Sequence, residues 1–278
     1  LDRPFFVSEW DHAWPDEWRA ESPLAYAAIA AFQGWSGATI HTYRYSTWEP
    51  ADRLGGGAST INSITYRNHF DSFNDPAKFG LFYHAALLFR RGDVQSGEKS
   101  AAIQISEDME SWLLKRPQDI PALKLLVEKH RVGMALPGEP CDADMVVPPD
   151  KAAVDPKDGE VLSDTGELWR SWSQRIGWID TPRTKAAYGF LGQAGKISLQ
   201  GLELEVKTDF ATLAISSLTD DPIGQSDTLL LTAVGRCDNT DAQYDEGHTR
   251  QLEAGHAPVL IEPIEAQIKL NTMRPNLK

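Results

Sequence analysis

The chain has 278 residues, 41% hydrophobic and 24% charged, a composition that can bury a sizeable core. A formal net charge of −13 argues against a nucleic-acid or anionic-membrane partner, since either would demand a basic face. Two cysteines, Cys141 and Cys237, form neither a disulfide framework nor a zinc pattern, and no apolar run approaches the roughly 18 residues of a membrane span.

The first elements lie close together. Pro4 to Ser8 is a short aromatic and β-branched run, the length of a strand buried on both faces, and it ends in Glu9-Trp10. A loop from Asp11 to Glu21 follows, holding His12, Trp14 and Trp18. Leu24 to Phe32 is rich in alanine and predicts a helix packed tightly on a sheet, with Ser22 as N-cap and Pro23 at its first position. Trp35-Ser36-Gly37 turns into Ala38 to Tyr45, a second β-rich run. Together these predict one βαβ unit with parallel strands and a right-handed crossover.

Beyond it, Ser46 to Asn74 is a long polar stretch, of the kind that is usually functional or mobile. Phe79, Phe82, Tyr83, Ala86 and Leu87 recur at helical spacing and predict a helix over 77–91, stopped by Gly92. From Lys99 the pattern changes. Strands are expected over 100–106 and 132–136, with short helices over 109–115 and 121–130, and the proline- and acid-rich 138–159 reads as an irregular loop. Short strands with turn signals between them then follow the spacing of a sandwich: 167–173, 175–180, 184–190, 196–199, 202–206, 211–217, 227–234, 259–261 and 264–269. The unbroken apolar run Thr228 to Val234 is the expected centre of that core, and 237–256 reads as an exposed loop.

Glu9 falls at the carboxyl end of the first strand, the edge on which parallel α/β folds carry their active-site residues. A carboxylate there among tryptophans predicts an aromatic cleft, and such a cleft suits a sugar ring, whose C–H face stacks on indole while its hydroxyls seek polar partners.

The residues Pro4 to Trp10, Arg19-Ala20-Glu21, Ala27 to Trp35 and His41-Thr42-Tyr43, with Ala85 to Val94 further on, resemble the last two β/α units of a clan-A retaining β-glycosidase, a (β/α)8 barrel carrying an appended β-sandwich. The resemblance implies an α/β plus all-β chain: the C-terminal part of a barrel over 1–98 and a sandwich-like domain over 99–278. It implies Glu9 as the catalytic nucleophile and sugar-binding side chains around His41, Tyr43 and Trp48, for a β-linked galactoside, glucoside or larger polysaccharide; from the residues themselves, Trp10 and Trp14 are further candidate stacking platforms, and His12 and Glu49 candidate partners of sugar hydroxyls. No metal or other cofactor is expected. The family's acid/base Glu usually follows an Asn, and no Asn-Glu pair occurs in this chain. The alternative reading is therefore a carbohydrate-binding or assembly module without catalysis. Leu1 is not an initiating methionine and no signal peptide follows, so the chain reads as cut from a longer one. Two β/α units alone would expose sheet edges and helix faces, which predicts self-association.

Overall fold

A computed structural model describes residues 3–43, 69–105, 108, 120–155 and 159–273. Strand β1 (Phe6–Trp10), helix α1 (Ser22–Phe32) and strand β2 (Gly37–Ile40) form the expected unit, with β1 and β2 paired in parallel. Phe6 stands opposite Gly37, whose missing side chain leaves room for the Phe6 ring: a Cβ there would lie 2.6 Å from that ring. The expectation that this strand is buried on both faces does not hold. Phe6 is 57% exposed and only Val7 and Trp10 are half-buried, because β1 pairs along one edge and no other described strand joins it.

Helix α1 begins one step earlier than its proline suggests. A 3-10 turn over Arg19–Glu21 leads straight into it, so Ser22 is helical, and its hydroxyl donates to the Arg19 carbonyl at 2.9 Å instead of capping. Small Ala27 and Ala28 beside Leu24 and Phe32 let the helix lie close to its neighbours. The long helix expected after it is divided into α2 (Pro76–Phe79) and α3 (Phe82–Phe89). Asp75 caps α2 by accepting from the Ala77 N–H at 3.2 Å, and Gly80 closes it by donating back to Pro76.

Parallel pairing continues beyond Lys99. Strand β3 (Ser100–Gln104) lies between β4 (Arg131–Ala135) and β5 (Met145–Val147), both parallel to it, and the one-turn helix α4 (Leu126–Lys129) precedes β4. The 138–159 stretch is thus not wholly irregular, since it supplies β5. The expected helix at 109–115 lies outside the described residues.

Antiparallel structure takes over at β6 (Glu160–Leu162). It runs through β7 (Leu168–Ser171), β8 (Ile176–Asp180), β9 (Thr184–Gly189), β10 (Lys196–Leu199), β11 (Leu202–Val206), β12 (Ala211–Ser217), β13 (Leu229–Val234), β14 (Cys237–Thr240), β15 (Gln243–Tyr244), β16 (Gln251–Glu253), β17 (His256–Ile261) and β18 (Ala266–Leu270). Six of them form one sheet in the order β13-β12-β9-β8-β7-β6, and β10-β11-β18 form a second. Alternation along the strands gives the large sheet two apolar faces. On one, Leu168, Ile179, Ala186, Phe210 and Ala214 pack with Leu24, Ala28, Leu81 and Leu88 of the helical layer. On the other, Ile176, Ala187, Leu213 and Ile215 pack with Ile197, Leu202 and Leu204 of the small sheet.

The centre of the large sheet is β12, all seven of whose residues are buried. The longer apolar run in β13, expected there, pairs only with β12 and leaves Leu231 51% exposed at the edge. The expected loop 237–256 carries β14, β15 and β16. The architecture is therefore mixed α/β with parallel sheets in the N-terminal region, followed by mostly antiparallel sheets, and among the described residues no sheet closes into a barrel.

Candidate functional site

The β1–β2 edge is built by the parallel ladder. The His41 N–H donates to the Trp10 carbonyl at 2.9 Å, carrying the ladder one residue past β2, and this brings the His41 imidazole beside Glu9. His41 Nδ1 lies 3.8 Å from Glu9 Oε1, within ion-pair reach when the ring is protonated. The Glu9 side chain is 69% exposed. It does not look into a cleft of indoles, because consecutive strand residues point to opposite faces and it is Trp10 that turns inward. Tyr43 is exposed, its ring 6.2 Å from those of Phe73 and Phe79. Trp48 and Glu49 lie outside the described residues.

The loop after β1 is held by buried charges. Lys78 Nζ donates to both Asp11 oxygens at 2.9 Å with both side chains out of water, and Arg19 forms a two-point contact with Asp75 at 2.7 and 3.2 Å while donating to the Cys237 carbonyl at 2.6 Å. Trp14 is only 1% exposed and its Nε1 donates to Asp238 Oδ1 at 2.9 Å. It is an anchor in the interior and offers no stacking face to a sugar. His12 pairs with Asp16 at 3.0 Å, and that hydrogen bond holds the imidazole above its ordinary pKa.

A cavity of about 720 Å³ opens between α1 and strands β7 to β9. Trp10 borders it, stacked on Tyr26 at 4.0 Å and 13°, so one of the predicted platforms and one predicted polar residue, His12, do line a cleft. Arg170 and Trp172 alternate with Leu168 on the helix side of the large sheet, and Arg170 is gripped at two points by Glu128, 2.6 Å each. The Tyr188 ring and the Arg175 guanidinium, 3.8 Å above Phe190, complete the far wall.

The Glu21 carboxylate and the Tyr188 hydroxyl are among the polar groups of this cleft that have no hydrogen-bond partner among the described residues. Burial raises the carboxyl pKa of Glu21, with Asp16 adding to the effect and His12 and Arg170 opposing it, and burial likewise pushes the Tyr188 phenol well above its ordinary value. Glu21 reads from sequence as a simple charge at a helix start, and Arg170, Trp172 and Tyr188 carry no motif. Only the packing of α1 across β7 to β9 joins them.

No cluster of three or more His, Cys, Asp or Glu side chains suited to a metal ion is present among the described residues, where Cys141 is exposed and Cys237 buried, both as free thiols. No helix among the described residues is long and apolar enough to cross a membrane. No protein-family model, no curated protein and no solved structure matches the chain.

Proposed function

We propose that the chain belongs to a retaining β-glycosidase, with β1, α1 and β2 as the closing units of a (β/α)8 barrel, the antiparallel sheets as its appended sandwich, and Glu9 as the nucleophile. One observation carries the reading. Glu9 stands at the carboxyl end of a parallel strand, its carboxylate open to an incoming substrate and 3.8 Å from the His41 imidazole on the neighbouring strand.

Retaining hydrolysis asks an ionised carboxylate to attack the anomeric carbon, and asks a second carboxyl about 5 to 5.5 Å away to protonate the departing oxygen and then activate water. Asp11, two residues on from Glu9, is locked on Lys78 and is not free for the acid/base role.

The test is a panel of aryl β-glycosides assayed with wild type and Glu9→Gln. Under this reading kcat falls by about three orders of magnitude or more in the variant, as for loss of a nucleophile. Equal turnover in both proteins removes Glu9 from the mechanism. Binding of the glycosides without turnover in either supports the non-catalytic carbohydrate-binding reading instead.

A further inference from the structure

We propose that the cleft between α1 and strands β7 to β9 is a saccharide-binding site in its own right, separate from the Glu9 edge, taking a short oligosaccharide against its aromatic wall, with ring hydroxyls donating to Glu21 and accepting from Tyr188. The inference does not rest on the nucleophile assignment.

Its chemistry follows from what the cleft leaves unsatisfied. The wall is aromatic, formed by Trp10, Tyr26, Trp172, Tyr188 and Phe190, and at about 720 Å³ the space falls within the roughly 300 to 1,000 Å³ of small-molecule sites. Aromatic faces of this kind hold the C–H surface of a pyranose. Set into that wall, Glu21 offers an acceptor and Tyr188 a donor that no described side chain uses.

A fatty ligand would bury both without partners, at about 1 to 3 kcal/mol each. A quaternary cation would gain from Glu21 and the rings, but two guanidinium groups border the same space. Arg170 is neutralised by Glu128, and Arg175 rests on Phe190. A neutral polyol with one apolar face matches all of these features together.

The experiment is isothermal titration of the full chain with tetrasaccharides of β-1,4-linked glucose and of β-1,4-linked galactose, with an α-1,4-linked glucose tetrasaccharide as comparison. Saturable binding of at least one β-linked probe is expected. Glu21→Gln should weaken it about tenfold or more, and Tyr188→Phe about three- to tenfold, the ranges for losing a charged and a neutral hydrogen bond. Glu9→Gln should leave the affinity unchanged within about twofold.

Failure of every probe to bind, or equal weakening by Glu9→Gln and Glu21→Gln, overturns the proposal. So does a wild-type dimer in light scattering that Ile29→Lys disperses, because the cleft would then be the interface between two copies. Should Tyr188→Phe fail to fold, Glu21→Gln decides alone. Loss of glycoside turnover in Glu9→Gln with the cleft affinity intact keeps the two proposals apart.

Discussion

Tyr188 lies flat across Gly177. The two residues face each other in the β8–β9 pairing, and a Cβ built on Gly177 would stand 2.5 Å from Tyr188 Cζ. The glycine, a weak strand former by itself, is thus the residue that lets an aromatic ring cover bare backbone and form part of the cleft wall.

Gly177→Ala should therefore cost about 1 to 2 kcal/mol in urea unfolding. Alanine's better strand propensity works in the opposite direction but is worth less than the displaced ring. The ring can swing toward the cleft, so tyrosine near-UV circular dichroism should change along with stability. An unchanged midpoint and unchanged spectrum would show that the ring has room to move without loss.

Gly189→Ala is expected to be more severe. Gly189 ends β9 at φ +107, a conformation that side chains avoid, and its Cβ would lie 2.3 Å from the Arg175 carbonyl oxygen, a backbone atom that cannot rotate away. A loss of about 3 kcal/mol or more, read from the same unfolding curves, is expected.

The Arg19–Asp75 pair gives a third expectation. Both side chains are essentially out of water, so removing one charge strands the other. Asp75→Ala should cost about 3 to 5 kcal/mol, part of it from the lost cap on α2, whereas Arg19→Met with Asp75→Leu should cost less than the two single changes added together. A double-mutant cycle in guanidinium measures the difference, and simple additivity would mean that the two groups act independently.

His84 makes stability depend on pH. It lies on the buried face of α3, between the Ser216 hydroxyl at 2.7 Å and the Thr232 hydroxyl at 2.9 Å, and burial lowers its pKa to about 4. The same polar cluster continues through Thr184 to Asp93, which Arg91 and Arg183 neutralise. The unfolded chain takes up a proton on this ring near pH 6.5 and the folded chain does not. The contribution is therefore complete above pH 6.5 and is lost as pH falls toward 4, by roughly 3 kcal/mol in all. His84→Gln should flatten that part of the profile. Parallel curves for variant and wild type between pH 7 and 4 would contradict it.

The sequence reveals most where a local signal decides the outcome. Lys196 to Leu199, Leu202 to Val206 and Ala211 to Ser217 are legible to the residue, because alternation and turn residues bound each strand on both sides. Leu229 to Val234 misleads because apolar content suggests burial, whereas this strand pairs only with β12 and so stands at the sheet edge. Met145 to Val147 hides among prolines and acids, since three residues cannot display a period. Of the candidate site, Glu9 is legible as a strand end, whereas His41 reads as lying within a strand over 38–45; in the structure β2 stops at Ile40 and the His41 ring lies 3.8 Å from Glu9. Trp14 is not legible as an anchor, because its partner Asp238 is 224 residues away. Glu21, Arg170 and Tyr188 meet only through the packing of distant elements.

That distance between Trp14 and Asp238, together with the Arg19 contact to the Cys237 carbonyl, bears on how the molecule is made. The Trp14 indole and the last hydrogen bond of Arg19 find their partners only once β14 has been made, whereas Asp75, close in sequence, can engage the same guanidinium much earlier.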